Sequence, residues 1–188
     1  PARLFLNRML ATLRQAAGPV VHLDTGFHKD LHFFITYLPK TNGVFIIDPA
    51  TRTQHELYVT ASDCTSKGRL AGCQYDAPFP SFITAPHPSP ACLTLLNIKV
   101  GVKLWGPTLA SSVVTIRCDN EQAAAAIQTA RTRDESLLSQ ARDLWVSAAS
   151  HGIHIIPKLV SYQLVAQHMQ APAQTTLTEL NEYLFKTQ

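Results

Sequence analysis

The sequence has few cysteines and none of the spacings that mark a metal-binding cysteine cluster. Its four cysteines, Cys64, Cys73, Cys92 and Cys118, include no C-x-x-C pair, whereas structural zinc sites commonly use such pairs. We therefore expect no zinc site. We also expect reduced, mostly buried thiols in an intracellular protein, cytoplasmic or nuclear, because disulfides are rare in those compartments.

Long apolar runs are also absent. No stretch approaches the roughly 20 consecutive apolar residues that a membrane-spanning helix needs, and no signal-peptide pattern opens the chain. Hydrophobic residues nevertheless make up 46% of the 188 residues, and charged residues only 15%. This composition excludes wholesale disorder and predicts one compact domain with an appendage and no membrane partner.

Acidic residues are missing from a long central stretch. Residues 77–118 contain Lys99, Lys103 and Arg117 but no Asp or Glu. The whole chain has a formal charge of +3 and an isoelectric point near 8.8, which is too mild to establish nucleic-acid binding. The position of the gap is more informative than the total charge, because it removes carboxylate chemistry from this part of the chain.

The first 43 residues predict a helical segment. Apolar residues recur at helical spacing in residues 6–13, and a second apolar stripe follows a helix start at Asp24. Pro39 and Asn42-Gly43 are expected to end this second helix. Since two short helices bury little surface by themselves, we expect them to pack against the rest of the chain.

Residues 44–170 alternate between strand and helix patterns, with a turn expected at residues 66–68. Strands are expected at residues 56–61, 69–75, 82–84, 113–118 and 153–156. Helices are expected at about 90–104, from 120 through the alanine run, at 134–150 and near 159–169. This order predicts an α/β fold, in which a mixed five-stranded sheet is flanked by helices. In the tail, residues 171–188, a capping-box pattern at 176–179 predicts a further helix.

Several short motifs resemble those of one family in their order and spacing. They are Val-Thr-Ala-Ser-Asp at 59–63, Lys-Leu-Trp-Gly-Pro at 103–107, Arg-Cys-Asp-Asn at 117–120, Ala-Arg-Asp-Leu-Trp at 141–145 and His-Gly-Ile-His-Ile-Ile-Pro at 151–157. The chain resembles the ribonuclease H-like domain of DIRS-like, tyrosine-recombinase retroelement reverse transcriptases, with the preceding thumb and connection segment. The resemblance covers residues 3–170, and the alternative is an unrelated α/β domain with a chance Asp-Asn turn.

This resemblance implies a metal site for phosphodiester hydrolysis. The family holds two Mg²⁺ or Mn²⁺ ions with Asp, Glu, Asp and Asp, because two ions about 4 Å apart need several negative ligands. Asp63 and Asp119 match the two strand positions, although Asp119 could instead be a simple helix cap. Thr94 and Gln167 stand where the family has Glu and the last Asp. The resemblance therefore implies a degenerate catalytic site, with Asp63 and Asp119 as weak metal ligands at most.

Four basic residues are candidate phosphate contacts. Lys67 and Arg69 belong to the expected hairpin, and Lys99 and Lys103 to the first helix of the domain. Contacts of this type read the shape of a duplex and not its sequence. A solvated helix face explains the two helix lysines equally well.

Two functions remain open at this point. The first is a non-catalytic domain that binds nucleic acid, such as an RNA–DNA hybrid or duplex, or a protein, such as a neighbouring polymerase module. The second is an active, metal-dependent ribonuclease H that cleaves the RNA strand of hybrids. The neutral residues Thr94 and Gln167 favour the first function.

Overall fold

The computed structural model describes most of the chain, in two compact units. The described residues are 2–15, 18, 20–41, 52–84, 88–129, 132, 134–181, 184 and 185. The units are Pro1–Thr51 and Arg52–Gln188. The boundary expected at residue 43 lies outside the described residues.

The N-terminal unit contains two helices, α1 (Ala2–Gln15) and α2 (Thr25–Thr41). Asp24 caps α2 as predicted, since its Oδ1 accepts a hydrogen bond from the Phe27 N–H at 2.6 Å. Of the two expected stops, Pro39 lies inside the helix, which continues to Thr41; Asn42-Gly43 lies outside the described residues.

The two helices are joined by an aromatic stack and an ion pair. The Phe5 and Phe33 rings stack with their centroids 3.8 Å apart. Arg8 donates to both carboxylate oxygens of Asp30, at 2.5 and 2.6 Å, and Asp30 is only 1% exposed. Several apolar side chains of this unit remain more than a third exposed: Leu6, Leu10, Leu13, Leu31 and Ile35.

The second unit alternates strands and helices. Its strands are β1 (Gln54–Ala61), β2 (Thr65–Leu70), β3 (Cys73–Pro78), β4 (Val113–Cys118), β5 (His154–Leu159) and β6 (Thr175–Leu177). Its helices are α3 (Ser81–Thr84), α4 (Pro90–Trp105), α5 (Glu121–Thr129), α6 (Glu135–Ser150) and α7 (Tyr162–Gln170). Ser89 caps α4 and Pro90 opens it, as predicted from the sequence.

The strands form one mixed sheet in the order β5-β4-β1-β2-β3-β6. Strands β1, β2 and β3 pair antiparallel, whereas β4 runs parallel to β1, β5 to β4 and β6 to β3. The predicted fold class, a mixed α/β sheet flanked by helices, is confirmed. The described residues form six strands and not the expected five, because two strands stand where one was expected at 69–75, the tail adds β6, and residues 82–84 are not a strand.

The hairpin differs from the expectation in where its turns lie. Residues 66–68, expected as a turn, are inside β2, and the chain instead turns at residues 62–64 and at Ala71, which has a φ of 51°. Gly68 is typical of a turn, but in this chain it is needed for packing inside β2. A Cβ atom there would lie 2.4 Å from the Tyr75 ring.

Two segments adopt a different secondary structure from the one expected. Residues 82–84, expected as a strand, belong to the short helix α3, which begins after Pro80 with a hydrogen bond from the Ile83 N–H to the Pro80 carbonyl. The tail, expected as a helix, contributes β6 instead, and Cys73 of β3 pairs with Thr175. An open sheet edge and two β-branched threonines outweigh the local capping pattern.

Most of the core of this unit lies between the sheet and one helical layer. Helix α4 packs against β1 and β2 as well as against α5 and α6, and residues 91–102 are all buried. Helix α7 packs against β1, β2 and β4. No helix in the described ranges is long and apolar enough to cross a membrane. The four cysteines are free thiols; Cys92 and Cys118 are buried, and Cys64 and Cys73 are exposed.

Candidate functional site

The sheet has one apolar and one polar face, because side chains alternate along each strand. On β1, Leu57 and Val59 are fully buried, and Leu57 approaches Gly101 of α4. The intervening Tyr58 faces the opposite side, where its ring stacks on His168 of α7 with centroids 3.8 Å apart. Helix α7 therefore lies over the polar face, which carries the candidate chemistry.

Strands β1 and β4 bring a threonine and an aspartate together at the end of this face. Tyr58 of β1 pairs with Arg117 of β4, so Thr60 lies opposite Asp119 two residues further on. The Thr60 hydroxyl donates a hydrogen bond to Asp119 Oδ2 at 3.2 Å. The helix cap of α5 is supplied by Asn120, whose Oδ1 accepts from the Ala123 N–H at 3.0 Å. Asp119 therefore does not cap α5, and its carboxylate lies just after the C-terminal end of β4.

Asp63 lies beyond this contact, in the exposed β1–β2 turn. The turn is closed by Ser62 and Thr65, whose backbone N–H and side-chain groups bond to each other at 2.7–3.1 Å. The β1 side chain that meets Asp119 is Thr60, three residues before Asp63. Sequence reasoning missed Thr60; counting the parallel register back from Asp119 identifies it, but that register is known only from the sheet.

Thr94 and Gln167 differ in their surroundings. Thr94 is 3% exposed, and its hydroxyl donates to the Pro90 carbonyl one turn earlier in α4 at 2.9 Å. Gln167 is exposed on α7, and the neighbouring residue, His168, provides the contact to the sheet. Neither side chain contributes a negative charge.

A second polar cluster lies next to Thr60 on the same face. Arg117 donates to Glu56 Oε1 at 2.5 Å and the Tyr58 hydroxyl donates to Glu56 Oε2 at 2.9 Å. The Arg117 hydrogen bond lowers the pKa of Glu56. Burial, and then the bond to Glu56, raise the pKa of Tyr58. Glu56 is therefore held as a carboxylate by its neighbours, and its ion pair with Arg117 links the central strands β1 and β4.

The four predicted phosphate contacts are mostly engaged within the protein. Lys99 is 0% exposed, 3.3 Å from Gln140 Oε1 and 3.7 Å from Asp143 Oδ2. Its assignment as a phosphate contact is wrong, because α4 is enclosed between the sheet and α6. Burial lowers the pKa of Lys99.

The other three basic residues differ in how far their side chains are engaged by the protein or exposed to solvent. Arg69 donates to the carbonyls of Ala171 and Pro172 at 2.5 and 2.8 Å, so it holds the chain after α7. Lys67 forms an ion pair with Asp76 at 2.7 Å, with both side chains about two-fifths exposed. Lys103 is half-buried in the last turn of α4.

The donor groups present do not fit a two-ion centre. Where the resemblance calls for several carboxylates, the contact at the end of β1 and β4 joins one carboxylate, Asp119, to the neutral Thr60. Within the described ranges, no group of three or more His, Cys, Asp or Glu residues is close enough to hold a metal ion. We therefore derive no reaction step through Mg²⁺ or Mn²⁺ for this chain.

Strand order and direction define the architecture. An antiparallel unit of three strands is followed by two strands parallel to its first member, with helices on both faces. This is the architecture that the resemblance to ribonuclease H-like domains implies.

Comparisons with known proteins add little to this description. No family model matches the chain, and no curated protein matches it. Among solved structures, ribonuclease H1 from the halophilic archaeon Halobacterium salinarum NRC-1 is similar, with a TM-score of 0.44 and 8% sequence identity over 62% of this chain and 94% of that one.

Proposed function

We propose that this chain is a degenerate, non-catalytic ribonuclease H-like domain that acts by binding. The retroelement resemblance of its motifs supports an origin in a DIRS-like reverse transcriptase, with nucleic acid as the first partner to test. The observation that carries the proposal is the contact between the Thr60 hydroxyl and Asp119. A neutral side chain occupies the place beside the β4 carboxylate.

The negative charge beside Thr60, which comes from Asp119, is too small for the chemistry of an active ribonuclease H. Two divalent ions about 4 Å apart repel each other, and several carboxylates are needed to hold them there. In a partly screened site, two unit charges about 4 Å apart attract each other by about 4 kcal/mol. Each missing carboxylate therefore removes an attraction of about this size for every unit of charge on a nearby ion. One carboxylate at Asp119 cannot replace this set.

The other two expected ligand positions do not restore the charge. Thr94 is buried and its hydroxyl is used by the Pro90 carbonyl. Gln167 is neutral and exposed. The alternative function, an active metal-dependent ribonuclease H, is supported by Asp119 and by the resemblance, and it requires ligands from outside this arrangement.

Lys67 is the predicted phosphate contact that remains best placed for nucleic acid. Its ion pair with Asp76 is exposed, and an exposed pair contributes about 0–1 kcal/mol. Lys67 can therefore exchange Asp76 for a phosphate at little cost, whereas the buried Lys99 cannot reach one.

Binding of a fluorescein-labelled RNA–DNA hybrid, measured by anisotropy over a salt series, tests the proposal. We expect salt-dependent binding, with Lys67→Met weakening it and the hybrid remaining intact in Mg²⁺ or Mn²⁺. Lys99→Met is the matched control and should leave the affinity of the folded protein unchanged. Absence of binding to hybrid and to duplex alike would contradict the nucleic-acid part of the proposal.

A protein partner is the second candidate, because edge strand β5 exposes apolar side chains. Ile156 is 40% exposed and Leu159 51%. Pro157 within the strand lacks an N–H and limits the addition of another strand, so this surface fits a side-chain contact. An Ile156→Lys variant that binds hybrid normally but loses association with the polymerase module expected beside this domain would support this candidate.

A further inference from the structure

A cavity of about 360 Å³ lies between α7 and the polar sides of β1, β2 and β3. Thr60, Lys67 and Gln74 line it from the strands, and Tyr162, Met169 and Gln170 line it from the helix. Its wall therefore includes Thr60, the residue that contacts Asp119, but most of it lies on the other side of β1 from that carboxylate.

Helix α7 is held at both ends, so this cavity is preformed. At its start, the Val160 N–H donates to the Cys118 carbonyl at 3.0 Å, and Ser161 caps the helix. After its end, Arg69 holds the carbonyls of Ala171 and Pro172. A preformed cavity lowers the entropy lost on binding.

The charges in the cavity cancel. Lys67 and Asp76, which both line it, form an ion pair with each other at 2.7 Å. The remaining polar groups include the amides of Gln74 and Gln170 and the hydroxyls of the lining serine and threonines, which both donate and accept hydrogen bonds. While Lys67 is paired with Asp76, this combination suits a neutral ligand with mixed donors and acceptors better than a metal ion.

The rim supplies a flat apolar surface. Tyr162 is 61% exposed, and Met169, a polarizable thioether, lies about two helical turns further along α7. An exposed aromatic side chain beside hydrogen-bonding amides is the combination that proteins use to stack and hold an unpaired base.

We propose that this cavity binds a neutral nucleobase, stacked on Tyr162 and hydrogen-bonded by Gln170. The inference rests on the proposed binding function, and it names the part of a nucleic acid that this surface takes: an unpaired base and not the duplex backbone. Two sources share this chemistry, a base within a single strand and a free nucleoside.

Fluorescence anisotropy and calorimetry with defined probes test the proposal. The probes are a labelled single-stranded RNA octamer, the same octamer with one central abasic residue, and the free nucleosides uridine and adenosine. The variants are Tyr162→Ala, Tyr162→Phe and Gln170→Ala, with Phe82→Ala as the control because Phe82 is an exposed aromatic outside the cavity. Since Tyr162 is largely exposed, its replacement should not prevent folding.

Tyr162→Ala should weaken binding of the intact octamer about 5- to 150-fold, which is the range for loss of one stacked base, whereas Tyr162→Phe and Phe82→Ala should not. Gln170→Ala should change the ratio of uridine to adenosine affinity. Weaker binding of the abasic octamer than of the intact one identifies a base in a strand, and nucleosides binding as tightly as the octamer identify a free nucleoside.

Equal affinity of Tyr162→Ala and the unmodified chain for the octamer and the nucleosides would overturn the inference. Hybrid binding that persists in this variant leaves the proposed function standing, so the failures of the two proposals are distinguishable.

Discussion

Thr60 and Asp119 show how a single position changes what the site can do. The hydroxyl satisfies the aspartate with one hydrogen bond of 3.2 Å but adds no charge. The sequence motif directed attention to Asp63, since it is the acidic residue of the Val-Thr-Ala-Ser-Asp segment. The parallel register with β4 shows that the facing residue stands three positions earlier.

Thr60→Asp should create a measurable Mn²⁺ site. A second carboxylate beside Asp119 should raise Mn²⁺ affinity at least about tenfold, because one unit charge at ~4 Å from a divalent ion contributes several kcal/mol. Calorimetric titration measures this. Asp63→Asn, added to the Thr60→Asp variant, is the matched control and should change little; loss of Mn²⁺ binding in the double variant would reinstate Asp63 as a ligand.

The buried Lys99 should make the free energy of unfolding depend on pH. Burial lowers its pKa, so between that lowered pKa and the ordinary value near 10.5 the unfolded chain binds more protons than the folded one. The free energy of unfolding therefore rises with pH across this window. Denaturant titrations at several pH values should show this rise in the unmodified chain and less of it in Lys99→Met.

The exposed Lys158 provides the control for this measurement. Lys158→Met should leave the pH dependence unchanged. The same slope in Lys99→Met and the unmodified chain would show that Lys99 does not titrate as a buried group.

At the scale of elements, sequence patterns identified the helices better than the strands. Helix α4 was located by its Ser89-Pro90 start and α6 by its apolar stripe, because caps and helical periodicity are local signals. The division between β2 and β3 was not, because Gly68 has the chemistry of a turn residue while its function is to accommodate Tyr75. Likewise β6 depends on the open edge of β3, which no local pattern in the tail encodes.

Gly68→Ala should destabilise the second unit. The added Cβ would lie 2.4 Å from the buried Tyr75 ring, and overpacking of this kind costs about 1–3 kcal/mol. Chemical denaturation followed by tryptophan fluorescence measures the loss. Gly18→Ala, where nothing lies within 4 Å of the new Cβ, should have little effect, and equal stabilities of the two variants would contradict the packing role.

Arg69→Lys should loosen the segment after α7. The arginine holds two carbonyls with separate nitrogens, at 2.5 and 2.8 Å, and a lysine cannot reproduce this fork. We expect a loss of about 1–2 kcal/mol. Faster amide hydrogen exchange should appear at Gln174 and Thr175, whose N–H groups donate to the Gly72 carbonyl. Unchanged exchange there would show that the clamp does not hold the tail.

For the whole molecule, the fold was more predictable from the sequence than the candidate site. The sheet order was predictable in outline, because the alternation of strand and helix patterns leaves few ways to build a mixed sheet. The side chains at the C-terminal ends of β1 and β4 were predictable only in part. The acid-free stretch at 77–118 already excludes a carboxylate from α4, but the neutral residue at Thr60 emerges only when β1 and β4 are paired.

We propose that the domain binds nucleic acid without cleaving it. Single-turnover incubation of an end-labelled RNA–DNA hybrid with excess protein, in Mg²⁺ and separately in Mn²⁺, tests it most directly. We expect the RNA strand to stay intact while it remains bound, and Asp119→Asn to give the same result. Metal-dependent cleavage by the unmodified chain, abolished by Asp119→Asn, would contradict it and establish the chain as an active ribonuclease H.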